Sequence, residues 1–156
     1  MQPYGSAALR LAVGAVFVAH GAQKLFGVGG GGLEGTAAFF TQIGLTPALP
    51  LAVLVGVVEL VGGLMLIIGA LTLFAALALA TTMAVAIWKV HLANGFFLNW
   101  NLTPGQGHGY EFNFVLIGAL ISLMLSGPGA FSIDGRRARH AETQAYGRAR
   151  LRAGKV

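Results

Sequence analysis

Glu59 is the only charged residue in the apolar run from Leu49 to Ile68. A helix needs about 20 predominantly apolar residues to cross a bilayer, and this run has that length. A carboxylate at the centre of such a helix costs at least roughly 2.5–3.5 kcal/mol. Its side chain must therefore face protein, a proton, a cation or water rather than hydrocarbon. One residue thus asks for a bundle of helices around it and for a partner within that bundle.

The rest of the chain supports that reading. Of its 156 residues, 56% are hydrophobic and 10% charged, against about 25% charged in a soluble domain, too few to cover a water-facing surface. The 24 glycines suit membrane helices, which approach closely where side chains are small. Seven of the ten basic residues lie after Gly135: Arg136, Arg137, Arg139, Arg148, Arg150, Arg152 and Lys155. This basic tail is a topology signal rather than a nucleic-acid-binding patch, and no nucleic-acid partner is expected. The absence of cysteine excludes disulfides, thiol catalysis and Cys-ligated metal. Arg10 followed by an apolar stretch imitates a secretory signal. Yet His20, Gln23, Lys24 and Phe26 occupy the region where a small-residue cleavage site belongs, so the segment is expected to be retained.

Hydropathy predicts an all-α protein, a four-helix transmembrane bundle with both termini cytoplasmic. The spans are expected at about Ser6–Phe26, Leu49–Ile68, Leu71–Leu92 and Glu111–Ser126. The second and third are nearly continuous and too long for one crossing, so Gly69-Ala70 must be a tight hairpin. Gly27–Gly32 reads as a flexible turn, and 27–48 and 93–110 as the two long outer loops. Pro47 and Pro50 fit the first turn of the second helix. Ser126-Gly127-Pro128-Gly129 is a strong stop for the fourth. Phe96, Phe97, Trp100 and Trp88 suit an interfacial aromatic belt. Arg10 and the tail share one side, which positive-inside counting makes the cytoplasm. The division is a membrane domain over 1–135 and a basic cytoplasmic tail over 136–156.

With this topology the embedded ionisable groups fall in the outer half of the bundle. Glu59 lies about 15 Å into its helix at 1.5 Å per residue, near the midplane. His20, Gln23 and Lys24 form one stripe with Gly27 at i, i+3, i+4 and i+7. Lys89 and His91 close the third span, and Glu111 opens the fourth. Glu59, His20, Lys24, Gln23, Lys89, His91 and Glu111 are therefore the candidate ligand or proton site. Bland roles compete: Lys24 and Lys89 can snorkel, Glu111 can answer a helix dipole, and His20 or Glu59 can fix helix register. Gly56, Gly62, Gly63, Gly118 and Ser122 are candidate helix-packing positions. No metal site is expected, since His20, His91 and His108 form no close His pair in sequence. Gly29–Gly32 lacks the strand and Lys-Ser/Thr of a phosphate loop.

Two blocks carry a family resemblance: His20-Gly21-Ala22-Gln23-Lys24-Leu25-Phe26-Gly27 and Glu59-Leu60-Val61-Gly62-Gly63. With Ser126-Gly127-Pro128-Gly129 through Ser132-Ile133-Asp134, they make the chain, over roughly 6–135, resemble the DoxX family of small bacterial membrane proteins. The resemblance implies a four-helix protein of the bacterial cytoplasmic membrane. It also implies a link to redox systems, relatives being associated with thiosulfate:quinone oxidoreductase and with membrane complexes that handle oxidative stress. No catalytic residue is assigned, and no intrinsic cofactor is expected.

Three functions follow as expectations. The leading one is a redox-associated subunit holding a quinone-like or other apolar ligand beside the Glu/His/Lys cluster, its electrons supplied by a redox partner protein. A transporter is the second, since midplane acids mark proton and solute paths, with a homo-oligomer supplying the missing half. A non-catalytic scaffold is the third, its tail binding anionic lipid or a cytoplasmic enzyme.

Overall fold

The computed structural model describes residues 2–153; Lys155 of the basic tail lies outside them. Among the described residues all regular structure is helical. Helix α1 spans Gln2–Phe26, α2 Gly32–Gln42, α3 Ala48–Ile68, α4 Thr72–Ala86, α5 Glu111–Ser126 and α6 Ile133–Ala153. Past Ala86, α4 widens into a π-helical turn, Ile87–His91, and closes as a 3₁₀ turn, Leu92–Asn94. Three helical segments are long and apolar enough to cross a membrane: Pro3–Phe26, Ala48–Ile68 and Thr72–Asn94. The expected fourth span, α5, has 16 residues, about 24 Å at 1.5 Å per residue, and so is shorter than the hydrocarbon core by itself.

Close backbone approach sets the first contact. Helices α1 and α3 run antiparallel, and a β-carbon on Gly63 would sit 2.8 Å from the Gly14 carbonyl and the Val18 nitrogen. Gly56 is likewise covered by Leu25, and Gly62 by Leu79 of α4. These three glycines pack as the small-residue argument requires. Gly14 and Gly21 of α1, which face Gly63 and Leu60, are packing positions that argument missed. Gly118 and Ser122 lie on an exposed face of α5, and a β-carbon on Gly118 would meet nothing within 4 Å. Their periodicity marks a side of α5 that is exposed among the described residues.

The core lies between α1, α3, α4 and α5, where Val13, Phe17, Leu66, Leu79, Met83, Leu116 and Leu120 meet. Outside it the apolar side chains Leu64, Leu73, Val115 and Leu125 are exposed. That is the surface expected of helices solvated by lipid. The segment 27–48, expected as a loop, contains α2, which packs on α1 and α3. Leu33, Thr36, Ala37 and Phe40 lie at i, i+3, i+4 and i+7 and form its less exposed stripe. The helix is too short to register as a span, which is why hydropathy alone overlooked it.

The α3–α4 hairpin is locked by the start of α6. Gly69 adopts a left-handed φ of 67°, and its missing β-carbon leaves room for Arg10 and Ser132. Ser132 caps α6 by accepting from the Gly135 N–H at 3.1 Å. Asp134 accepts from the Leu71 and Thr72 N–H groups (3.0 and 2.8 Å) and from the Thr72 hydroxyl (2.9 Å). Its own N–H donates to the Gly69 carbonyl at 2.9 Å. Burial by itself would raise the Asp134 carboxyl, but these bonds from Thr72 and Leu71, with the charge of Arg137, hold it below the ordinary 3.8. Arg10, expected as a topology charge, is 1% exposed and donates from Nη2 to the Ala130 carbonyl at 3.2 Å. The basic stretch beyond, read from the sequence as a tail, is helical as far as Ala153, with residues 136–147 exposed.

Candidate functional site

At the opposite end of the bundle the helices diverge around a cavity of about 1000 Å³. Phe17, His20 and Lys24, spaced i, i+3 and i+7, put one face of α1 into it. Helix α3 contributes Val55, Val58 and Glu59, and α4 contributes Leu77, Thr82 and Met83. Phe39 and Phe40 of α2 and Asn113 and Leu116 of α5 complete the wall. Leu54 of α3 and Phe74, Leu77 and Val85 of α4 line the cavity and are also exposed, so it reaches the surface along α3 and α4, as it does beside Phe39 of α2 and Phe112 of α5.

Glu59 is 2% exposed and accepts from Lys24 Nζ at 2.5 Å. Lys24 is 22% exposed, so the pair joins a sealed acid to a base that reaches the cavity. The cost of burying the carboxylate is offset by that ammonium. Both residues owe their positions to small neighbours. Gly56, one turn from Glu59, receives Leu25 and the Lys24 stem, and Gly21 lets the α1 backbone come against Leu60.

The π-turn supplies the far rim. Its widened backbone presents Lys89, Val90 and His91 to the same cavity, and such turns are frequent at functional positions. Lys89 Nζ stands 4.2 Å from the centroid of the Trp88 ring. The loop 95–110 folds over this rim. His91 Nδ1 bonds the His108 carbonyl at 2.8 Å, and the Asn99 N–H donates to His108 Nδ1 at 3.2 Å. The buried Asn99 amide donates to the Thr103 and Gln106 carbonyls and accepts from the Thr103 N–H. Phe96 stacks edge-on with Phe97 and Tyr110, each at 5.3 Å, which ties the loop to the start of α5. Phe97, Trp88 and Trp100 are exposed at this end.

Of the residues singled out in the sequence, His20, Lys24, Glu59, Lys89 and His91 therefore line one cavity, although they come from three helices. Gln23 and Glu111 are not among its lining residues. Glu111 instead donates its N–H to the Phe96 carbonyl at the loop's return. Asn113, Thr82 and His108 are additional polar lining groups. The Asn113 amide is buried and donates only to the weak acceptor Met83 Sδ at 3.3 Å. A buried amide two residues beyond Glu111 was the available signal, masked by the acid before it. Among the described residues no cluster of three or more His, Asp or Glu side chains is placed to hold a metal.

The DoxX family model matches residues 5–92, just over half of the chain. The chain belongs to the DoxX family. The DoxX segment runs from α1 to the π-turn and contains His20, Lys24, Glu59, Lys89 and His91, while α5 and the start of α6 lie beyond it. With three helices of membrane-crossing length and composition, it marks an integral membrane protein. No curated protein and no solved structure matches the chain.

Proposed function

We propose that the protein is a redox-associated subunit of the bacterial cytoplasmic membrane that binds a quinone-like, lipid-soluble ligand in this cavity. The observation that carries the reading is the meeting of the Lys24–Glu59 pair, His20 and Asn113 with apolar walls in one laterally open space. Ligand pockets of this kind are mostly apolar, with a few placed polar groups that orient the head. In the topology that fits, α1, α3, the extended α4 and α5 cross the membrane as four spans. Aromatic and loop residues extend the reach of the short α5, and both termini are cytoplasmic.

A quinone-type head takes up two electrons and two protons on reduction, with the electrons supplied by a reduced partner protein. The chain's residues would serve the proton side. Lys24 holds positive charge where a ring oxygen gains electron density, the Lys24 ammonium and His20 each donate one of the two protons and are reprotonated from water, and the Glu59 carboxylate keeps the Lys24 head in place. The hairpin end is packed by Gly14, Gly63, Gly69 and Arg10, which supports a ligand that enters and leaves from the side over permeation through the bundle.

The test is binding of a long-tailed quinone to detergent-purified protein, with Lys24→Met and Glu59→Gln variants. Saturable binding weakened by both variants supports the reading. Absence of binding to the wild type, or equal binding in all three, overturns it.

A further inference from the structure

The charges around the cavity do not balance. Among its lining residues there is one carboxylate, Glu59, against two lysines, Lys24 and Lys89, and three histidines, His20, His91 and His108. Glu59 is committed to Lys24 at 2.5 Å, and that is the one ion pair among the described residues. Lys89 thus faces the cavity as a cation with no carboxylate at salt-bridge distance. Glu111, the acid nearest in sequence to the rim, is absent from the lining, as is Glu34 of α2. The uncompensated charge is also positioned. The π-turn sets the backbone of Lys89, the Trp88 ring lies 4.2 Å from its ammonium, His91 bonds the His108 carbonyl, and the His108 ring accepts from the Asn99 N–H. A surface lysine would be expected to swing freely into water; this one is held at the polar rim of an apolar chamber.

We infer that the cavity takes an amphiphile with an anionic head, with Lys89 as the counter-charge, Asn113 as a neutral donor within the chamber and the opening along α3 and α4 as the path for its tail. The physical reason is complementarity. A neutral head leaves Lys89 without a partner in a space walled by Leu77, Val85, Val90 and Leu98, whereas an anion supplies one. This inference rests on the cavity being a site for a lipid-soluble ligand. It narrows the head from a plain quinone to one that carries negative charge, such as a ring bearing an ionised hydroxyl, and names Lys89 as the residue that selects that charge.

The experiment compares two probes with the same tail and different heads, dibrominated octadecanoate and the corresponding dibrominated octadecanol. Their bromines quench tryptophan, and Trp88 adjoins Lys89, so binding is read as Trp88 quenching in full-length protein carrying Trp100→Phe. The carboxylate is expected to bind at least about tenfold more tightly than the alcohol, as a charge-assisted contact provides. Lys89→Met should abolish that preference without weakening alcohol binding, which also shows that the variant is folded, and Lys89→Arg should keep it. Equal binding of the two probes to the unsubstituted residue overturns the anionic head and leaves the cavity reading intact. A preference that survives Lys89→Met overturns the role of Lys89. If neither probe binds, the lipid-site reading and this inference fail together.

Discussion

The two ends of the bundle each bury charge, and they do so by opposite means. At the hairpin end, the Asp134 carboxylate accepts from the Leu71 and Thr72 N–H groups and the Thr72 hydroxyl, buried Arg10 donates to the Ala130 carbonyl, and neither residue lines the cavity. At the loop end, Glu59 and Lys24 satisfy each other beside about 1000 Å³ of open space. A carboxylate that takes three donors from a helix start, as Asp134 does, is committed to holding the fold. A charge tied to one flexible side chain at a cavity wall can exchange that partner for a ligand or a proton. The comparison separates the residues that hold the fold from those available for function.

The largest effect that tests this contrast is expected at the hairpin. Gly69→Val puts a branched side chain onto Arg10 and Ser132 at a left-handed φ, and should cost about 3–5 kcal/mol from strain and overpacking combined. Thermal unfolding in detergent would show it as a drop of many degrees or as failure to accumulate. A variant as stable as wild type would mean that the hairpin is not closed.

At the cavity end, Glu59→Gln should be milder than breaking a sealed pair. Lys24 reaches open space and can be resolvated, so about 1–2 kcal/mol is expected. The double variant Lys24→Met, Glu59→Gln should recover part of that loss, since it strands no charge, while ligand binding stays impaired. Additive losses would place the pair with the structural charges instead.

Asp134→Ala removes the side-chain cap of α4 and should cost about 1 kcal/mol. The same group predicts a pH dependence. Its native carboxyl is held below 3.8, so its contribution is fully present above that value and is lost as pH falls through the lower native value. Stability of the wild type should therefore fall more steeply in acid than that of Asp134→Asn. Parallel acid profiles would remove Asp134 from the lock.

The smallest effect is expected from Gly118→Ala on the uncovered face of α5. It meets no atom within 4 Å, so stability should stay unchanged or rise by up to about 1 kcal/mol through helix propensity. Destabilisation comparable to Gly63→Ala, whose β-carbon meets the Gly14 carbonyl, would show that α5 packs against a second molecule.

Much of the fold was legible because lipid-sized helices have a one-dimensional signature. The bounds of α3 and α5, the break at Gly69 and the stop at Ser126 all follow from hydropathy and glycine placement. Helix α2 was not legible by that criterion, since 11 residues fall below the span length, although the stripe from Leu33 to Phe40 was present. The π-turn left no mark either: Ile87–His91 reads as ordinary helix until its backbone is seen to widen. For the site, spacing on one helix brought His20 together with Lys24. It could not say that Lys24 reaches Glu59, that Gln23 and Glu111 face elsewhere, or that Asn113 joins from α5.

The amino-acid order alone determined that an acid would be buried among apolar helices and would need a cation, because desolvating a carboxylate is costly wherever the chain goes. It also determined the bounds of α3 and α5 and the hairpin at Gly69. Only the tertiary structure decided which of three basic residues in α1 and α4 would meet the acid, which would be sealed against backbone, and which would stand unpaired over open space. Those outcomes depend on how closely glycine-faced helices approach and where they diverge, and these are distances between segments that no local pattern encodes.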